Sequence, residues 1–247
     1  MGILCLDGIL KIVKINKMKK IKISLLSDTH TKHNEITNDL IGGDLIIHAG
    51  DLSNMGYLNE IRDFFKWFKK LPYDEKVFIC GNHDFGFQDY PVEIEMMLNE
   101  HPEIDYLQDN MYVIGDDYQS GIKIWGSPWQ PRFYDWAFNA DRGDDIKQHW
   151  DKIPNDIDIL VTHGPAFGHL DKILGQSNSL GCEELTKAIE RIKPKIHICG
   201  HIHSGYGYKF DGTTHYFNAA VLGERYTYQN KPFHFDWNPE TNEVTFI

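Results

Sequence analysis

No uninterrupted apolar run in the 247 residues approaches the ~18 that a membrane-crossing helix requires. Cysteine is sparse: Cys5, Cys80, Cys182 and Cys199 are scattered, with no C-x-x-C pair. That usage fits the reducing cytoplasm, where the protein is expected, better than a secreted disulfide framework. Positive charge is short as well, with 25 Lys and Arg against 36 acidic residues and a net charge of −11. The first 22 residues carry +5, so the remainder stands at −16. A body that acidic repels polyanions, so neither long nucleic acid nor an anionic membrane is an expected partner. A basic stripe interleaved with aromatics is missing too. Repeats, low-complexity tracts and linkers are absent. The apolar start is broken by Asp7 and lacks a small-residue cleavage site, so it makes a poor signal peptide.

What remains is an ordinary globular composition, 41% hydrophobic and 25% charged. The length suits one large domain with a full core. Met18, followed by two lysines and an apolar run, reads as an alternative start. The domain is therefore set at 18–247, with 1–17 as an appendage. Short runs rich in Ile, Val and Leu at 21–27, 44–49, 76–80, 157–162 and 195–199 read as buried strands. Helical spacing covers 56–70, 91–100 and 182–192. Alternation of the two predicts an α/β sheet with covered faces. Short runs at 111–114, 122–125, 206–210, 214–218, 233–237 and 243–247 predict antiparallel pairs.

Each of the five buried strands ends in residues that bind metals. The strings are LLSDTH (Asp28, His30), IIHAGD (Asp51), VFICGNHD (Asn82, His83), ILVTHGP (His163) and HICGHIH (His201, His203). In an open α/β sheet, ligands bind outside the carboxyl ends of the strands, so the five endings converge on one crevice. In extended backbone, residues two apart point to one side. Asp28 and His30 can then serve one ion, while His201 and His203 reach two neighbouring ions. Asn82 and His83 are adjacent and diverge. His, Asp and an Asn carbonyl suit borderline divalent metals better than the all-oxygen shell of calcium. Asp51 has two oxygens and can bridge two cations, which about 3.5–4 Å apart clamp an in-line displacement at phosphorus.

The series Asp28-x-His30, Gly50-Asp51, Gly81-Asn82-His83-Asp84, His163-Gly164 and Gly200-His201-x-His203 resembles the calcineurin-like metallophosphoesterase superfamily from residue 21 onward. IHAGDL, FFKWFKKLPY, WGSPWQP, THGP and HSGYG are similar to its small metallophosphoesterase-domain phosphodiesterase subgroup. The resemblance implies a four-layer α/β/β/α sandwich with two mixed β-sheets. Carried over, site one takes Asp28, His30, Asp51 and His203, and site two takes Asp51, Asn82, His163 and His201. His83 matches the substrate-facing histidine that stabilises phosphate charge or protonates the leaving oxygen. Some animal members of the subgroup have Gly where this chain has His203. The complete set here implies two divalent ions, with Mn first and Fe, Zn or Ni as the other choices.

Several residues have plainer readings. His48 and His197 lie inside strands as satisfied core histidines. His33, His101, His149, His169 and His234 are expected at the surface, His169 close enough to the THGP loop to approach substrate. Cys80 and Cys199 act as small buried hydrophobes. The aromatic segment Trp125 to Trp136 is either a structural plug or a wall of the substrate cleft. Arg142 is assigned a surface ion pair. The implied activity is hydrolysis of a small phosphodiester or cyclic nucleotide by a hydroxide bridging two metals. Protein phosphatases of the superfamily carry Asp-Arg-Gly soon after Gly-Asp, supplying Arg to a dianion. Here the stretch is GDLSNMG, which favours a diester. A nuclease, a phosphomonoesterase and a catalytically weak scaffold are the alternatives.

Overall fold

In the computed structural model, residues 20–115 and 117–247 are described. The expected appendage at 1–17 lies outside them. The strands are β1 Ile21–Leu26, β2 Gly43–Ala49, β3 Tyr73–Ile79, β4 Asp105–Tyr106, β5 Asn110–Ile114, β6 Ile122–Ser127, β7 Gln130–Pro131 and β8 Asn139–Ala140. They continue as β9 Ile159–Thr162, β10 Ile196–Cys199, β11 Gly207–Phe210, β12 His215–Asn218, β13 Phe233–Asn238 and β14 Glu243–Phe246. The helices are α1 His33–Ile36, α2 Leu58–Phe68, α3 Gly86–Asp89, α4 Pro91–Asn99, α5 Asp144–Trp150 and α6 Glu183–Ile192.

Two six-stranded sheets form, ordered β14-β13-β1-β2-β3-β4 and β11-β12-β10-β9-β6-β5. Each has four parallel strands, β1 to β4 in the first and β12, β10, β9 and β6 in the second. Antiparallel pairs finish both sheets at β5–β6, β11–β12 and β13–β14, where the short runs predicted them. The expected sandwich of two mixed sheets is present.

Strands buried on both faces explain the continuous Ile/Val/Leu runs. Ile23, Leu45, Val77 and Phe235 of the first sheet pack against Ile124, Val161, Ile198 and Phe217 of the second. Phe217 and Phe235 stack with centroids 4.9 Å apart. The sheets approach closely at Gly126 in β6, where an added Cβ would sit 2.4 Å from Leu107 Cβ and 2.7 Å from Ile79 Cγ2. Only a glycine permits that approach.

Helices cover the outer faces. Ile61, Phe64, Phe65 and Phe68 form one face of α2 and join Ile46 and Phe78 of the first sheet. Pro91 opens α4, whose missing N–H is no loss in a first turn. On the second sheet, α5 and α6 bury Ile146, Trp150, Leu185 and Ile189. Charge and polar residues dominate 141–149, which hid α5 from a reading based on apolar periodicity.

Candidate metal centre

The chain leaves β1, β2 and β10 through tight turns. Asp28 and Asp51 both have φ of 55°, with His30 at 39° and His201 at 66°. Side chains with a Cβ seldom adopt this left-handed region, and such strain gathers at functional sites. The extended path assumed from sequence is therefore replaced by turns, which still set Asp28 and His30 on a common side. Gly81 makes room for the centre, since a Cβ there would lie 2.3 Å from Asp51 Oδ1 and 2.5 Å from the His163 ring.

Among the described residues, three sets of donors each lie within 4.8 Å: Asp28, His30 and His203; Asp51, His163 and His201; and His30, Asp51 and His83. Asp28 Oδ1 is 3.3 Å from His203 Nε2, which is 3.4 Å from His30 Nε2. Asp51 Oδ2 is 3.4 Å from His163 Nε2 and 3.6 Å from His30 Nε2, so one oxygen faces both groups. Asn82 Oδ1 joins the second group, 3.0 Å from His163 Nε2 and 2.7 Å from His201 Nδ1. His83 lies toward His30 and Asp51, with Nε2 4.0 Å from Asp51 Oδ2. Neighbours in sequence, Asn82 and His83 thus serve different sides.

The residues fit a cation. His30, His163 and His203 donate their Nδ1 protons to the carbonyls of Ser53, Ala49 and Gly223, which leaves each Nε2 facing the centre. Such backbone acceptors fix tautomer and ring orientation in metal-binding histidines. Burial pushes His30 and His201 down to about 4, keeping both neutral. For His163 burial is outweighed by Asp51, and for His203 by Asp28, so each is raised to about 9. Burial also opposes charge on Asp28 and Asp51, yet His203 and His163 hold those carboxyls below their ordinary range. Protons on two histidines thereby balance two carboxylates in the metal-free chain, and a bound cation displaces such protons.

Support comes from residues to which the sequence assigned no part in the centre. Asp84, fully buried, accepts hydrogen bonds from the Gly81, Leu52 and Ser53 amides and the Ser53 hydroxyl. Burial and the charge of Asp51 raise its carboxyl to about 6. It ties the turn after β2 to the turn after β3. His48 and His197 are core residues, as expected, and each meets a threonine: Thr29 at 3.0 Å and Thr162 at 2.9 Å. Buried Cys80 and Cys199 have thiols pushed up by burial, which suits packing rather than reaction.

Other expectations change. His33, His101 and His149 are buried rather than at the surface, because Asp63, Lys69 and Asp109 supply them with partners. His169 stacks on Tyr216 at 3.9 Å. Arg142 pairs with Glu183 and donates to the Gly181 and Leu180 carbonyls. The aromatic segment divides between both readings. Trp125 is buried in the core, Trp136 packs at a tilt against His83 at 4.2 Å, and Phe133 stands 6.1 Å from His201. Tyr226, on no motif, packs 4.7 Å from His30; nothing in the string ERYTYQ marked it.

Fold and donors together define an α/β sandwich protein with a candidate divalent-metal centre at the carboxyl ends of its strands. A profile of the family described as calcineurin-like phosphoesterase matches residues 21–205. Metallophosphoesterase domain-containing protein 1 of Homo sapiens is 37% identical over 227 residues, covering 85% of this chain and 69% of that protein. A UPF0046 protein of Caenorhabditis elegans is 34% identical over 233 residues, covering 88% of this chain and 81% of that protein. The solved structure of TT1561 from Thermus thermophilus shares the fold, with a TM-score of 0.59 at 14% identity over 92% of this chain and 98% of that one. The chain belongs to the calcineurin-like phosphoesterase family. Membership and the His/Asp groups support a metal-dependent phosphoesterase.

Proposed function

We propose that the chain is a phosphodiesterase acting on a small phosphodiester, cyclic nucleotides included, with two divalent cations, Mn first among them. One observation carries this reading: Asp51 Oδ2 lies 3.4 Å from His163 and 3.6 Å from His30, shared between two donor groups. When bound, a pair of cations supplies an activated water and neutralises charge at phosphorus. The chain's own residues arrange the rest. Asp51 joins the two groups, and its Oδ1 accepts from the His83 amide at 2.8 Å, which fixes that backbone beside the centre. His83 Nδ1 donates to the Asn54 carbonyl at 2.7 Å, leaving Nε2 free to hold a proton for the leaving oxygen. Trp136 packs against the same ring at a tilt of 34°, with centroids 4.2 Å apart.

Preference for a diester is supported by the lack of a free cation in the loop 52–56. Arg132 and Arg142 line the adjoining cavity but are paired with Asp141 and Glu183. A dianionic monoester would find less to grip there than a monoanionic diester. Among the described residues Cys80, Cys182 and Cys199 are buried free thiols, which supports a reducing, cytoplasmic setting.

Metal analysis of the purified protein, alongside bis(p-nitrophenyl) phosphate and p-nitrophenyl phosphate, tests the reading. The expected outcome is two metal equivalents and faster turnover of the diester. One equivalent, or preference for the monoester, would discard it.

A further inference from the structure

Beside the donor groups lies a cavity of ≈ 390 Å³, reaching from His201 and His203 to Phe133, Leu180 and Tyr226. Its wall is largely apolar, with Pro131, Pro165 and Ile173 completing it. Tyr226 is the unusual member. A turn carries it, in which its amide donates to the Gly223 carbonyl at 2.8 Å and the Gly223 amide donates to Thr227 at 2.9 Å. Its φ of 55° puts a bulky side chain in the left-handed region, an outlier for a residue of this size. Strain of that kind persists where the surroundings over-determine it, and it concentrates at ligand sites.

Core packing does not explain the ring, which is 43% exposed. Instead it lies 4.7 Å from His30, 5.2 Å from His203 and 6.1 Å from His83, while the rest of its surface lines the cavity. An exposed aromatic face beside a phosphorus-binding centre meets whatever organic group is esterified there. Flat rings gain from offset or edge-on contact with an aromatic side chain, and small alkyl groups do not. The geometry points to Tyr226 as the residue that selects this organic group, favouring an aryl or heteroaryl ring over a small alkyl. The inference rests on the phosphodiesterase reading above.

Two diesters test it: methyl p-nitrophenyl phosphate and phenyl p-nitrophenyl phosphate share a leaving group and differ only in the group retained. Metal-loaded wild type is expected to prefer the phenyl ester by about tenfold or more in kcat/KM. Tyr226→Leu should collapse that ratio by about tenfold with bound metal unchanged, and Tyr226→Phe should preserve it. A ratio unchanged in the Leu variant overturns the inference, as does a variant that loses metal together with activity. Wild type that turns over both esters without preference overturns the inference alone. Wild type inactive on both removes the phosphodiesterase reading and the inference with it.

Discussion

Asp51 and His83 sit a few ångströms apart and do different work. Asp51 is almost wholly buried and shared between two donor groups, whereas the His83 ring nitrogens come no nearer to the Asp51 carboxylate than 4.0 Å and the ring packs at a tilt against Trp136. Replacing Asp51 by Asn removes a charge that both groups use, so metal content should fall and turnover nearly vanish. His83→Ala should keep the metal and lose about 10²–10⁴-fold in kcat, less for good leaving groups such as nitrophenol, which need little protonation. Metal analysis beside kcat for both variants separates the roles; metal loss in His83→Ala would make it a ligand. At this scale the sequence was generous. Residue type and strand-end position named every donor that the structure gathers. Tyr226 escaped, and Asp84 was given no role within its motif, because their importance lies in what the fold brings beside them. Neither residue type nor spacing carries that information.

Each sheet repeats one device at the level of elements. A histidine inside a parallel strand, His48 in β2 or His197 in β10, hydrogen-bonds a threonine at the carboxyl end of the adjacent strand. Thr29 lies between Asp28 and His30, and Thr162 precedes His163, so both contacts steady metal-donor turns. Thr162 donates its own proton to the Gly164 carbonyl at 2.8 Å, so His197 Nε2 must be the donor to it. Burial holds His197 down at about 3, against an ordinary 6.5. The unfolded chain therefore takes up this proton first as pH falls below 6.5. Stability is lost from there downward, by about 1.4 kcal/mol per pH unit for one such histidine. His197→Asn should be weaker at pH 7 yet decline less steeply than wild type toward pH 5 in urea melts. Parallel slopes would place the acid sensitivity elsewhere. The longer strands and the three long helices were legible from apolar runs, whereas α5 and the two-residue strands β4, β7 and β8 were not. A polar helix shows little periodicity, and two residues carry no pattern.

Seen whole, the molecule closes its centre from two sides. Asp28, His30, Asp51, Asn82 and His83 follow strands of the first sheet; His163, His201 and His203 follow strands of the second. A cation held by both sets clasps the sheets together, and any ligand that binds only the folded chain stabilises it. Divalent metal at a thousandfold excess over Kd should add about 4 kcal/mol, near 8–16 °C in Tm for a chain of this size. Scanning calorimetry with and without a chelator reads this directly, and an unchanged Tm would mean that the centre binds no metal tightly.

Gly126 gives the clasp its gauge. With no side chain there, β6 settles against Ile79 and Leu107, and the gap between the two jaws is set by bare backbone. A single methyl would act as a shim, prying the layers apart while leaving every donor chemically intact. The reach between imidazoles on one jaw and carboxylates on the other would then lengthen. In this architecture, the calibration of the centre resides in the thickness of the oily seam beneath it.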